Sequence, residues 1–148
     1  MTQERRTVSF TIDEPFDVSL RMLRRALARE GLRVPCEVDT STRLKEELGI
    51  GLKGSIVLYV DTPILLLEAT VLTVAGGLYV PEPVVLSSSG KECTVVVRSI
   101  KPILDNGFPN SVRAAIILLH ERILKAIQTI GHREPVLQYT DKNHAVPA

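Results

Sequence analysis

The most constraining feature of the sequence is the succession of a strand, a helix and a hairpin in its middle third. Residues 55–60 are apolar at nearly every position, which is typical of a strand buried on both faces. Thr62 can then cap a helix, and Pro63 suits the first helical position because the N–H that it lacks would have no partner there. The helix predicted over residues 64–74 is apolar almost all round, so we expect it to be mostly buried, with Leu65 or Leu66 among its least accessible residues, or else covered by a second subunit. Residues 84–97 contain a serine–glycine turn between two valine-rich runs, which predicts a β-hairpin.

The segments on either side of this succession have the amphipathic patterns of further strands and helices. They are, in chain order, a strand over residues 8–12, a helix that opens at Asp17 and stops at Gly31, a short strand over residues 34–38, a helix over residues 42–48 and a long helix over residues 111–130. A chain of 148 residues is long enough to bury one independent core. The sequence therefore predicts one domain over residues 1–131, followed by a flexible polar tail over residues 132–148.

Several short motifs in this order carry a family resemblance. The first helix ends in Glu30-Gly31-Leu32, a strand leads to Asp39, Pro63 starts the apolar helix, and Val-Pro-Glu-Pro at residues 80–83 precedes the hairpin. From about Thr11 to Gly131 the series resembles the domain of unknown function 302 family. The resemblance implies an α+β domain of two layers, with helices packed on a curved mixed sheet of about five strands, and pairing into a homodimer. It supplies no catalytic residues.

The composition argues against several classes of partner. The net charge is +1, there is no Trp, and there are three Phe and three Tyr, so nucleic-acid binding is disfavoured. The charged N-terminus lacks the apolar region of a signal peptide, and no apolar stretch is long enough to span a bilayer. We therefore expect a cytoplasmic protein without membrane contact. Cys36 and Cys93 lie in separate strand-like segments and are predicted to be buried thiols.

Two motifs resemble functional signatures but have the wrong context. Residues 49–54 spell G-x-G-x-x-G, yet they follow a helix and lead into a strand, the reverse of the dinucleotide fingerprint. His120 and Glu121 lie on the long helix, but Leu124 occupies the place of a second zinc-binding histidine. The sequence therefore predicts neither a metal site nor a cofactor, and it places His120 at the flank of the apolar helix face.

A few charged residues are candidates for a site. Glu68 is a carboxylate within an otherwise apolar helix, and it would be an acid–base candidate if it were buried. Lys53 in the glycine-rich segment could contact an anion, as could Arg21 and Arg25 on the arginine-rich first helix. The alternative is that all four are solvated surface residues.

Two functions remain in competition. The first is a non-enzymatic homodimeric module that binds a small apolar or amphipathic ligand or a partner protein, because the chain carries more apolar surface than one core needs. On this interpretation residues 78–80, Ile117 and Leu124 contribute to the dimer contact. The second is an enzyme or anion-binding site built from Glu68, Lys53 and the arginine-rich first helix.

Overall fold

Helices and strands follow one another along the chain in the predicted order, and the computed structural model describes them for residues 6–104 and 107–134. The strands are β1 (Thr7–Ile12), β2 (Arg33–Asp39), β3 (Ser55–Asp61), β4 (Glu82–Ser89), β5 (Glu92–Arg98) and β6 (His132–Arg133). The helices are α1 (Phe16–Arg29), α2 (Thr40–Leu48), α3 (Pro63–Thr70), α4 (Lys101–Leu104) and α5 (Asn110–Gln128), and a 3-10 helix (Val74–Leu78) follows α3. This combination confirms the predicted α+β class.

The strands form one open, curved sheet in the order β2-β3-β4-β5-β1-β6. Every neighbouring pair is antiparallel, so the sheet differs from the mixed one expected from the family resemblance. Neighbouring strands are antiparallel because the two helical connections that return the chain to the same end of the sheet, from β1 to β2 and from β5 to β6, join strands that are not neighbours. The sheet also has one strand more than the five or so expected, because His132 and Arg133 pair with β1.

The sixth strand changes the boundary of the predicted tail. Thr11 is in register with His132, and the backbone N–H of Glu134 donates to the carbonyl of Ser9. The first residues after Gly131 are thus hydrogen-bonded to the sheet. Residues 135–148, to which the rest of the tail prediction applies, lie outside the described residues.

One face of the sheet packs against helices. Alternate residues of β3, β4 and β5 are buried on this face, and α1 contacts β2, β4, β5 and α5, while α3 packs against α5. On the other face a row of four valines lies in register across β2, β3, β4 and β5, and each of them keeps some exposure (Val38, Val57, Val85, Val96). The core therefore lies between the sheet and the two helices α1 and α5.

The helix ends follow local chemistry, with one difference from prediction. The Thr62 hydroxyl accepts from the Leu65 N–H at 3.1 Å at the start of α3, and Gly49 ends α2 with φ of +67°, both as predicted. Asp17 is not the cap of α1. It lies in the first turn, since α1 begins at Phe16 and no side chain caps it.

Candidate functional site

An apolar surface covers the outer side of α3 and the 3-10 helix. Its six large aliphatic side chains are each between 61% and 91% exposed (Ile64, Leu67, Val71, Leu72, Val74, Leu78). We call these six residues the apolar α3 surface. The helix predicted over residues 64–74 was expected to be mostly buried, or else covered by a second subunit. Within the single chain it buries Leu65, as predicted, and Ala69. A contiguous exposed patch of this kind typically marks an interaction site.

The end of α3 explains why the surface is continuous. The helix stops at Thr70 rather than near Val74, and the chain folds back into the 3-10 helix that packs against it. A Cβ atom at Gly76 would lie 1.7 Å from the carbonyl oxygen of Ala69. Only glycine allows this close approach, which places the two short helices side by side.

A buried ionisable pair lies deeper in the molecule. Glu82 is 1% exposed and occupies a core-facing position of β4, in alternation with Val84. Its carboxylate oxygen Oε2 lies 2.8 Å from Nδ1 of His120, which is 4% exposed on α5. The pair links the sheet to the long helix through a hydrogen bond shielded from water. Buried groups of this type are found in cores only when they are paired.

Beside this pair, two arginines and two aromatic rings form a chain of contacts. Arg98 donates through Nη2 to the carbonyl of Tyr79 at 2.6 Å, and its guanidinium lies 5.1 Å from the centre of the Tyr79 ring. The Tyr79 ring meets the Phe108 ring edge to face at 5.4 Å, and Arg113 donates through Nη2 to the Phe108 carbonyl at 3.1 Å. We call Tyr79, Arg98, Phe108 and Arg113 the arginine–aromatic cluster.

The electrostatics of the cluster are dominated by Arg98. Burial lowers the pKa of Arg98, while the nearby Glu82 carboxylate acts in the opposite direction. Glu82 therefore faces two basic side chains, His120 by a direct hydrogen bond and Arg98 through space. Arg98 and Arg113 each keep a buried Nε atom for which no hydrogen-bond partner exists among the described residues.

The structure does not bring the predicted site residues together. Lys53 lies just before β3, and Glu68 lies on α3, which follows β3. Arg21 and Arg25 lie on α1. All four side chains are exposed. No hydrogen bond or ion pair joins any of them to another residue of the described chain. In the arginine-rich helix it is Arg24 that is engaged, by two hydrogen bonds to Glu37 on β2. The four candidates stay predictions.

The structure also shows the environments of the two cysteines and of His120. Cys93 is buried, as predicted, but Cys36 is exposed on β2, because this edge strand has no helix over the face to which Cys36 belongs. Both are free thiols. His120 is not a flank residue, since it lies in the core with Glu82. Within residues 6–104 and 107–134 no group of three or more His, Cys, Asp or Glu side chains could hold a metal ion.

Sequence reasoning missed Glu82 as a site residue, although a signal for it existed. The Val-Pro-Glu-Pro motif indicates the start of the hairpin, and residues 82, 84 and 86 also share one face of a strand by simple alternation. A carboxylate on the same strand face as two buried aliphatic residues requires a hydrogen-bond partner. His120, at the edge of the long apolar stripe, was the natural candidate.

The comparisons with known proteins agree with this architecture. A family model described as "Domain of unknown function DUF302" matches residues 8–130. The chain belongs to this family. A solved DUF302 structure, titled as the crystal structure of an uncharacterized conserved protein from Bacillus stearothermophilus, is similar with a TM-score of 0.73. The similarity covers 84% of this chain and 97% of that one at 12% identity, so it shows a shared fold.

The remaining comparisons place no activity on the DUF302 fold. No curated protein matches this chain. Among the helices over residues 6–104 and 107–134, none combines the length and the apolar character that crossing a membrane would require. The function must therefore be argued from the two features described above, the apolar α3 surface and the polar groups around Glu82.

Proposed function

We propose that this DUF302 chain is a non-enzymatic cytoplasmic module that works as a homodimer, in which the apolar α3 surface of one copy packs on that of a second. The observation that carries the proposal is the exposure of six large aliphatic side chains within 15 consecutive residues, from Ile64 to Leu78. Exposed aliphatic side chains gain free energy when a partner removes them from water. The two free thiols fit a reducing compartment.

The chemistry of the surface favours a second copy of the chain over a charged partner. Its six members are aliphatic, and the charged residue that α3 contributes is Glu68, which is exposed next to Leu67. A two-fold contact buries the same patch on both subunits, so an uncharged patch can face itself without repulsion. With no Trp in the chain, such an interface is broad and aliphatic rather than built on aromatic anchors.

The proposed interface differs from the one expected from the sequence. Leu78 belongs to it, at 75% exposure. Val80, by contrast, is 1% exposed and lies in the core of its own chain, and Leu124 packs partly buried against that core. An aspartate at Leu124 would therefore reduce the stability of the fold, so it would not be a clean test of dimerisation.

Sedimentation equilibrium of charged variants provides a cleaner test. Val74 is 91% exposed, so Val74→Asp adds a charge to the patch without disturbing the core. We expect the wild type to be a dimer at micromolar concentration, and Val74→Asp to be a folded monomer whose thermal midpoint is lower only by the stabilisation that association supplies. Leu48→Asp is the matched control, because Leu48 is 65% exposed on α2, outside the patch; it should stay dimeric.

Two outcomes would contradict the proposal. A wild-type chain that sediments as a monomer at about 100 μM would rule out a dimer with the affinity expected of a stable interface. A Val74→Asp variant that dimerises as tightly as Leu48→Asp would place the interface elsewhere. If the wild type is a monomer but takes up a fluorescent apolar probe that Val74→Asp rejects, the surface binds an apolar ligand instead of a second copy.

A further inference from the structure

A charged side chain lies within the exposed stripe of α3. Residues three and four positions apart in a helix are neighbours on one face, and Ile64, Leu67, Glu68 and Val71 follow this spacing. Val71 belongs to the stripe because its backbone is still helical, with φ of −66° and ψ of −35°. All four side chains are exposed. Glu68 therefore lies among members of the apolar α3 surface, with Ile64 one turn before it and Val71 just under one turn after it.

A two-fold contact that covers this stripe also covers Glu68. Because a two-fold interface uses the same patch on both subunits, it contains the carboxylate twice. Aliphatic side chains that displace water from a charged carboxylate raise its free energy unless another polar group replaces the water. Two like charges in one interface add electrostatic repulsion. The aliphatic members of the surface thus favour association, and the charge of Glu68 opposes it.

We propose that Glu68 limits the strength of self-association, because the two-fold contact brings two Glu68 carboxylates into one aliphatic interface. This inference rests on the homodimer proposed above, and it assigns the regulation of that dimer to the charge of one residue. A charge at this position keeps the association reversible, since the aliphatic surface alone would bind itself more tightly. The role differs from the acid–base role expected of a buried Glu68, because the side chain is exposed in the single chain.

Sedimentation equilibrium of a neutral variant tests the role of the carboxylate. Glu68→Gln keeps the length and the helix propensity of the side chain and removes its charge. We expect the dissociation constant of the dimer to fall by at least about tenfold, because like charges placed together in an interface weaken binding by this much or more.

Glu47→Gln is the matched control for this experiment. Glu47 is exposed on α2, outside the apolar α3 surface, and its replacement changes the net charge of the chain by the same amount. We expect Glu47→Gln to dimerise as tightly as the wild type, so that a difference between the two variants reports the position of the charge and not its sum.

Mixed dimers test whether the two carboxylates lie close to each other. Glu68→Lys reverses the charge, so a wild-type chain paired with this variant places opposite charges where each pair of identical chains places like charges. With the variant isotopically labelled, native mass spectrometry separates the mixed dimer from the two dimers of identical chains. We expect the mixed dimer to exceed its statistical share. Labelled Glu47→Lys is the control, and it should mix with the wild type statistically.

Three results would overturn this role of Glu68 and leave the dimer in place, provided that Val74→Asp still dissociates the wild type. Equal dissociation constants for Glu68→Gln and Glu47→Gln would place the carboxylate outside the contact. Weaker association of Glu68→Gln would mean that the carboxylate meets a cation of the second copy. Statistical mixing with Glu68→Lys would mean that the two carboxylates are far apart.

A different result would remove the proposed dimer itself. If the wild type and Glu68→Gln are both monomers at about 100 μM, a concentration at which a stable interface is occupied, the apolar α3 surface does not pack on its own copy. The role of Glu68 then fails together with the dimer, whereas in the three cases above it fails alone.

Discussion

The helices α3 and α5 are both rich in aliphatic residues and pack against each other, yet they use these residues in different ways. α5 buries one stripe that also contains a histidine. α3 buries only Leu65 and Ala69 and leaves Ile64 and Leu67 about two-thirds exposed, at 69% and 62%. Hydrophobicity alone therefore does not determine which residues enter the core. The position of the helix at the margin of the core decides it for α3.

The two helices differ in how clearly their polar residues mark the side that faces solvent. On α5, charged residues such as Glu121 and Lys125 mark the solvent side, so the apolar stripe is unambiguous. On α3, Glu68 is the charged residue within an apolar helix, and aliphatic residues occur on all sides. The sequence of a helix without a polar face does not indicate whether the outer side of the helix contacts water, a ligand or another chain.

The largest expected change in the free energy of unfolding concerns His120, the buried histidine of α5. His120→Leu keeps an apolar side chain in the core but leaves the Glu82 carboxylate buried without its direct partner. We expect a loss of about 3–5 kcal/mol in the free energy of unfolding, measured by urea denaturation. The double variant with Glu82→Leu should recover much of this loss, because two apolar residues can replace a buried pair at little cost.

A small loss in the single variant would weaken this view of α5. If His120→Leu cost less than about 1 kcal/mol, far below the range for breaking a buried pair, Glu82 would be satisfied by Arg98. In that case α5 would contribute to the core through its aliphatic stripe alone.

The two faces of α3 supply the second prediction. Leu65→Ala removes a side chain that is 4% exposed, and should cost about 2–5 kcal/mol, because transfer free energy is lost and a cavity remains. Leu67→Ala, two positions away and 62% exposed, should change the free energy of unfolding of the monomer by no more than about 0.5 kcal/mol. Similar losses in a chain held monomeric by Val74→Asp would mean that both faces of α3 are buried.

Much of the fold could be predicted because its local signals agree with one another. Thr62 and Pro63 start α3, Gly49 ends α2, and the alternation of β4 and β5 around Gly90 gives their hairpin. The antiparallel sheet and β6 were harder to predict. Strand direction depends on how long connections run in space, and His132 and Arg133 form too short a strand to show a period.

The candidate sites were less accessible to sequence reasoning. Arg98 lies on β5 and Arg113 on α5, and each contacts one residue of the Tyr79–Phe108 ring pair only in the folded chain. No local motif encodes this arrangement. The predicted candidates Glu68 and Lys53 were chosen for unusual sequence surroundings, which identified exposed residues rather than a shared site.

The smallest expected change in the free energy of unfolding concerns α2. Unlike α3 and α5, this helix has no buried residue. An N-terminal cap contributes to its stability, since the Asp39 carboxylate accepts from the Thr42 N–H at 3.0 Å and from the Ser41 hydroxyl at 2.9 Å. Asp39→Ala should therefore cost about 1 kcal/mol in the free energy of unfolding, while Asp39→Asn, which keeps an acceptor, should cost less.

The pH dependence of this effect identifies the ionised carboxylate as its source. The hydrogen bond from the Thr42 backbone lowers the pKa of Asp39 in the folded chain, below the ordinary value of about 3.9. The stabilisation is therefore fully present above the unfolded pKa, and it is lost as the pH falls through the lower folded pKa. The difference between wild type and Asp39→Ala in urea denaturation should shrink in acid, whereas that between Asp39→Asn and Asp39→Ala should not. A wild-type difference that persists in acid would show that the neutral side chain caps α2 equally well, and that the charge of Asp39 contributes nothing to this exposed helix.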